Sequence, residues 1–103
     1  MYKFKAQIWR WPGVGGWHFV NVPNKLFAEI RKSAKPYGAG FVKVKVIIGR
    51  SSWTTALFPH KQSQGYLLSI KQSIRKKEGI WENDNVNISF EMVDKGFRKS
   101  KTK

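Results

Sequence analysis

The sequence contains no cysteine. That excludes a disulfide framework and every thiolate metal site, and it fits a reducing compartment. Acidic residues are scarce: 6 Asp and Glu stand against 20 Lys and Arg, a formal charge of +14. Long apolar runs are missing as well. The most apolar stretch, Phe41 to Ile48, is interrupted by lysines, and Met1-Tyr2-Lys3-Phe4-Lys5 alternates charge with aromatic groups. Neither a membrane-spanning segment nor a signal peptide is expected, so the expected setting is cytoplasmic, without membrane insertion.

What is present suits one small folded unit. The 103 residues are 41% apolar and 15% aromatic, enough for one core and too few for two. The expected domain is residues 1–94. Residues 95–103 carry Lys95, Arg98, Lys99, Lys101 and Lys103 with no apolar period, and read as a basic, disordered tail. Without those five cations the body keeps fifteen basic and six acidic residues, a balance of +9.

Alternation of apolar and polar residues marks strands through most of the chain. Tyr2, Phe4, Ala6 and Ile8 share one face of the first, with Lys3, Lys5 and Gln7 on the other. Pro12-Gly13-Val14-Gly15-Gly16 breaks it, and Trp17 to Val22 returns as the partner of a hairpin. Asn24 is placed to cap a helix in which Leu26, Phe27, Ile30 and Ala34 share a face, stopped at Pro36. Val42, Val44, Val46 and Ile48 give the strongest strand signal, and Trp53 to Phe58 is expected to end at Pro59. A polar loop from His60 to Gly65 leads to a short strand, Tyr66 to Ile70. A short helix, Gln72 to Glu78, ends at Gly79; Asn83-Asp84-Asn85 turns; Val86 to Met92 forms the final strand.

About six strands and two short helices predict a mainly β fold, a small barrel whose closure removes exposed edges. An internal echo predicts pseudo-symmetry. Ile30-Arg31-Lys32 matches Ile74-Arg75-Lys76, and Val42, Val44 and Val46 match Val86, Ile88 and Phe90, both at an offset of 44 residues.

The stretch from Ile70 to Val86, a short basic helix followed by Gly79, an apolar residue and an Asn83-Asp84 turn, resembles the hairpin element of AbrB/MazE-type swapped-hairpin proteins. Those proteins carry glycine where this chain has Asn83. A wider pattern runs from Phe4 through Trp17, Phe19, Val22-Pro23, Trp53, Leu57-Phe58-Pro59, Gly65-Tyr66 and Arg75 to Asp84 and Val86. It resembles a bacterial and archaeal family of unknown function whose members are often fused to YdeI/OmdA-like bacteriocin-protection domains. That resemblance implies a double-split barrel completed by one chain, hence a monomer, and it supplies no catalytic residues to carry over.

No constellation of catalytic residues emerges from the spacing. His18 and His60 lack the company a zinc site requires. Ser51, Ser52, Thr54 and Thr55 read as turn and strand residues without an adjacent base. The glycines at 13, 15 and 16 lack the lysine–hydroxyl pair and following helix of a phosphate loop. The expectation is a protein that is not an enzyme and takes no cofactor or metal.

Charge carries the functional signal. Lys43 and Lys45 project from one face of a strand, and Arg31-Lys32 and Arg75-Lys76-Lys77 crown the two helices. These seven are the candidate polyanion-binding residues, contacting DNA or RNA through phosphates. A solvated basic surface that opposes edge pairing explains the same residues. Of the five tryptophans, most are expected in the core or at its rim, the other reading being a stacking platform for bases alongside Arg10, Arg50 and nearby lysines, and Trp11 beside the glycine loop is the candidate exposed one. The alternative to a nucleic-acid module is a protein- or small-ligand-interaction domain linked to bacteriocin or envelope stress. A pocket of Trp11, Trp17 and Trp53 would favour that alternative.

Overall fold

The computed structural model describes residues 1–33, 40–60 and 65–93. The expected helix stop at Pro36, the loop that follows it, most of the polar loop after His60, and the tail from Lys95 lie outside the described residues.

Seven strands form one antiparallel sheet. They are β1 (Tyr2–Gln7), β2 (Trp9–Arg10), β3 (His18–Asn21), β4 (Val42–Ile48), β5 (Ser51–His60), β6 (Gly65–Ser69) and β7 (Asn85–Met92), in the order β1-β7-β4-β5-β6-β3-β2. Both edges of that order belong to one run of chain. β1 pairs with β7, Phe4 opposite Ile88, and β2 pairs with β3, Trp9 opposite Phe19. Between them Ile8 is fully buried; its N–H donates to Asp84 O at 2.9 Å, and its carbonyl accepts from Asn83 N–H at 2.8 Å. The sheet therefore curls into a nearly closed barrel, which leaves little edge to pair with another chain. The count exceeds six because the first run divides at Ile8.

β5 is the counterpart of that divided run. Ser51–Leu57 pairs with β4, and Phe58–His60 pairs with β6. Each half of the molecule thus reads long strand, short strand, helix, strand. Val46 lies opposite Phe90, its own match at the offset of 44 residues. An antiparallel ladder joins a residue to its counterpart only where a two-fold relation passes through the pair. The weak echo in the sequence is the trace of this arrangement.

β1, β4 and β7 turn one face to the core, as their alternation requires, whereas β6 is covered on both faces. Val42, Val44, Val46, Leu57, Ile88 and Phe90 are almost completely enclosed. Phe90 stacks on Tyr2 at 5.1 Å and meets Phe4 edge-on at 6.1 Å. The two helices, α1 (Phe27–Ser33) and α2 (Gln72–Glu78), each drive one isoleucine into the core, Ile30 and Ile74. Gly79 ends α2 in the left-handed conformation, and Ile80 N–H closes the turn on Arg75 O at 3.0 Å.

Two local expectations are corrected. Asn24 does not cap the first helix: a 3-10 turn over Asn24–Leu26 precedes it, with Pro23 in the N-cap position and no side-chain cap bond. Proline's fixed φ, here −56°, starts the turn one residue earlier. Nor does Pro59 end its strand, which continues to His60 with Pro59 opposite Tyr66. The carbonyl of Tyr66 already accepts from Val22 N–H at 2.9 Å, so the donor that proline lacks is not required there.

Candidate functional site

Outside the barrel, the side chains left over by the core form two adjoining surfaces. The first is basic. Lys3 and Lys5 on β1, Asn87, Ser89 and Glu91 on β7, and Lys43 and Lys45 on β4 all point outward. Cross-strand register brings them onto one face: Lys3 opposite Ser89, Lys5 opposite Asn87, Lys45 opposite Glu91. On the far side Lys43 and Lys45 stand opposite Ala56 and Thr54 of β5. Along these three strands, four exposed lysines share the face with one carboxylate.

The helix cations do not join it. α1 lies at the end of the barrel marked by Tyr66, whose ring meets Phe27 at 5.2 Å, and α2 docks at the opposite end, where Glu78 meets Ser51. Ser51 and Pro59, the partner of Tyr66, are separated by roughly 25 Å of strand. Arg31 and Lys32 are exposed on α1, with the Arg31 guanidinium 5.6 Å from the centre of the Phe27 ring. Lys76 and Lys77 are exposed on α2. Arg75 is turned back into the fold: its Nε–H donates to Ile70 O at 3.0 Å, and burial lowers its pKa from the ordinary arginine value. The seven predicted cations therefore occupy three places. Only Lys43 and Lys45 share a face with further lysines.

The second surface is aromatic. Phe19 of β3 and Leu67 of β6 point away from the core yet are only 7% and 4% exposed, because other rings cover them. Trp17 lies parallel to Phe19 at 6.2 Å, Trp11 meets it edge-on at 5.9 Å, and Phe58 does so from β5 at 6.3 Å. Together with Pro59 and His60 they enclose a groove of about 370 Å³. Trp11 and Trp17 form its walls and remain 42% and 53% exposed.

Hydrogen bonds hold those walls in place. Trp9 lies behind, its ring tilted 37° to that of Phe19 at 5.3 Å, with its Nε1–H donating to Asn21 Oδ1 at 2.7 Å. Trp11 N–H donates to Trp17 O at 2.8 Å across the neck of the glycine loop, and His18 Nδ1 lies 2.7 Å from Gly16 O. Gly15 is required within that loop. Its φ is +102°, and a Cβ there would stand 2.9 Å from Trp17 Cδ1.

The two surfaces meet. Phe58 at the groove meets the ring of Phe41, the residue before β4, at 5.3 Å, and Lys43 follows two residues later on the outward side of β4. Trp53 takes no part, since it packs against the core, and Trp81 is exposed on the turn before β7. Three exposed tryptophans are more than the sequence predicts. Of the pocket of Trp11, Trp17 and Trp53 that the sequence offers, the groove holds the first two; Phe19, Phe58 and Leu67 are not among its candidates, although β6 carries a signal for them. Tyr66, Leu67 and Leu68 are consecutive apolar residues, so both faces of that strand need cover. Among the described residues no three His, Asp or Glu side chains stand close enough to hold a metal ion, and no helix is long and apolar enough to cross a membrane.

The family model described as Domain of unknown function (DUF1905) matches residues 4–90, from within β1 to within β7. None of the curated proteins matches the chain.

Proposed function

The chain belongs to the DUF1905 family, a family of domains of unknown function, and we propose that this member is a non-enzymatic module that binds nucleic acid through its phosphates. The observation that carries the reading is the lysine face. Lys3, Lys5, Lys43 and Lys45 converge on the outer side of three neighbouring strands, where Glu91 is the one carboxylate those strands contribute. Ammonium groups on a rigid sheet neutralise phosphates and release their counterions without reading base edges. The net charge of +14 draws a polyanion in from a distance.

The test is a fluorescence-anisotropy titration of labelled duplex and single-stranded oligonucleotides at low salt. The native chain is compared with one carrying Lys3→Gln, Lys5→Gln, Lys43→Gln and Lys45→Gln. Loss of affinity on the order of ten- to a hundredfold supports the reading. Unchanged affinity moves the phosphate contacts off this face, and absence of binding by the native chain sinks it.

A second reading draws on the groove. A cavity of about 370 Å³ walled by indoles also suits a small apolar ligand or an aromatic side chain of a protein partner.

A further inference from the structure

We propose that the groove is a base-stacking platform, which makes the ligand a single-stranded nucleic acid rather than a duplex. An unpaired base lies against the exposed indoles of Trp11 and Trp17 while neighbouring phosphates reach the lysine face. The proposal rests on the phosphate-binding reading above and adds to it the state of the strand.

The groove is built in advance of any ligand. Two indoles stay about half exposed, although burying them against the body would gain apolar contact. The bond from Trp11 N–H to Trp17 O, the Trp9–Asn21 bond and the conformation at Gly15 fix the two indoles in this half-exposed arrangement. Their floor is itself aromatic, with Phe19 parallel to Trp17 and edge-on to Trp11 and Phe58. A flat π-system entering here meets ring faces and edges, the surfaces on which bases stack. The volume falls in the range of about 300–1,000 Å³ usual for small-molecule pockets, enough to take a planar heterocycle.

Charge selects among possible occupants. A second copy of this chain would bring another +14 to the groove, and the two would repel. A neutral apolar peptide would fill the groove but draw nothing from the lysines beside it. A duplex keeps its bases stacked inside and offers phosphates alone. A single strand uses both surfaces, and they are contiguous. The aromatic row passes from Phe58 to Phe41, and Lys43 follows at one repeat of about 7 Å along β4.

The experiment titrates the full chain with four probes of equal length at low salt: a DNA strand, an RNA strand, the DNA duplex, and an abasic strand with the same phosphates. Anisotropy of the probe and quenching of indole fluorescence are read together. The native chain is expected to bind the base-bearing strands about tenfold more tightly than the abasic strand, with quenching only by the former. Trp17→Ala is expected to bring the base-bearing strands down to the abasic level while leaving duplex and abasic affinities unchanged. Trp17→Phe is expected to restore most of the difference, and thermal melts confirm that both variants fold. Equal affinity for base-bearing and abasic strands overturns the platform and leaves the phosphate reading standing. No binding of any probe overturns both. The DNA and RNA arms decide which sugar is preferred.

Discussion

Two of the six carboxylates are committed to holding backbone and are unavailable for chemistry. Asp84 Oδ2 accepts from Trp81 N–H at 2.8 Å, shaping the turn that precedes β7. Glu78 Oε2 accepts from Ser51 Oγ at 2.5 Å and from Arg50 N–H at 3.2 Å, which fastens α2 to the β4–β5 turn. Ser51 is the one buried polar residue among those described, at 3% exposure, and a buried hydroxyl without an acceptor is costly. Glu78→Ala should therefore destabilise the domain by about 1–3 kcal/mol. In a thermal melt followed by circular dichroism, Glu78→Ala combined with Ser51→Ala should cost less than the two singles added together. Strict additivity would show that the bond contributes nothing. Tyr66 sets a limit at high pH. Burial pushes its phenol up from the ordinary value, against a smaller lowering by the charge of Arg31. Above about pH 10 the unfolded chain releases this proton while the folded one retains it. Stability contributed by the neutral phenol is thus complete below about pH 10 and declines above it. Tyr66→Phe should flatten that decline in denaturant melts from about pH 8 to 11, and an unchanged slope would clear Tyr66 of the effect.

The strands and helices were legible wherever one residue face had to be buried. Val42 to Ile48 shows the clean alternation of a half-buried strand, and Gln72 to Gly79 states both its helix and its stop. Sequence periodicity reports burial against the barrel interior, so it found the core and the opposing lysines together. It did not find the groove's floor beneath Trp11 and Trp17, because Phe19, Phe58 and Leu67 come from separate places in the chain. Pairing of β2, β3, β6 and β5 gathers them, and no local pattern encodes that pairing. The split at Ile8 was hidden for the same reason: what divides the strand is a change of partner from β7 to β3, with Ile8 bonded to the turn at Asn83 and Asp84. Replacing Ile8 by proline would remove the N–H that reaches Asp84 O and open the barrel where its two edges meet. Ile8→Ala keeps that bond and loses only packing, about 2–5 kcal/mol. Denaturant melts should rank Ile8→Pro below Ile8→Ala, with amide exchange in β1 and β3 accelerated in the proline variant alone. Equal destabilisation would mean that Ile8 acts through its side chain only.

At the scale of the whole molecule, the barrel separates two kinds of attraction on one continuous outer surface. On the proposed reading, lysines on β1 and β4 would act through charge, which salt screens, whereas Trp11 and Trp17 between β2 and β3 would act through stacking, which salt scarcely touches. A plot of log affinity for a single strand against log salt concentration therefore resolves them. Its slope counts the phosphates neutralised, and the affinity remaining near about 1 M salt reports what is not electrostatic. Replacing Lys3, Lys5, Lys43 and Lys45 with glutamine should flatten the slope by roughly three, since each single-strand phosphate left unneutralised removes about 0.7. Trp17→Ala should instead shift the line downward in parallel, leaving its slope untouched. The opposite assignment, with the tryptophan altering the slope and the lysines only the offset, would mean that the aromatic groove orders the basic surface and does not itself receive a base. If neither variant moves the line, the charge that binds the strand lies elsewhere, and the exposed cations of the two helices become the place to look: Arg31 and Lys32 at one end of the barrel, Lys76 and Lys77 at the other.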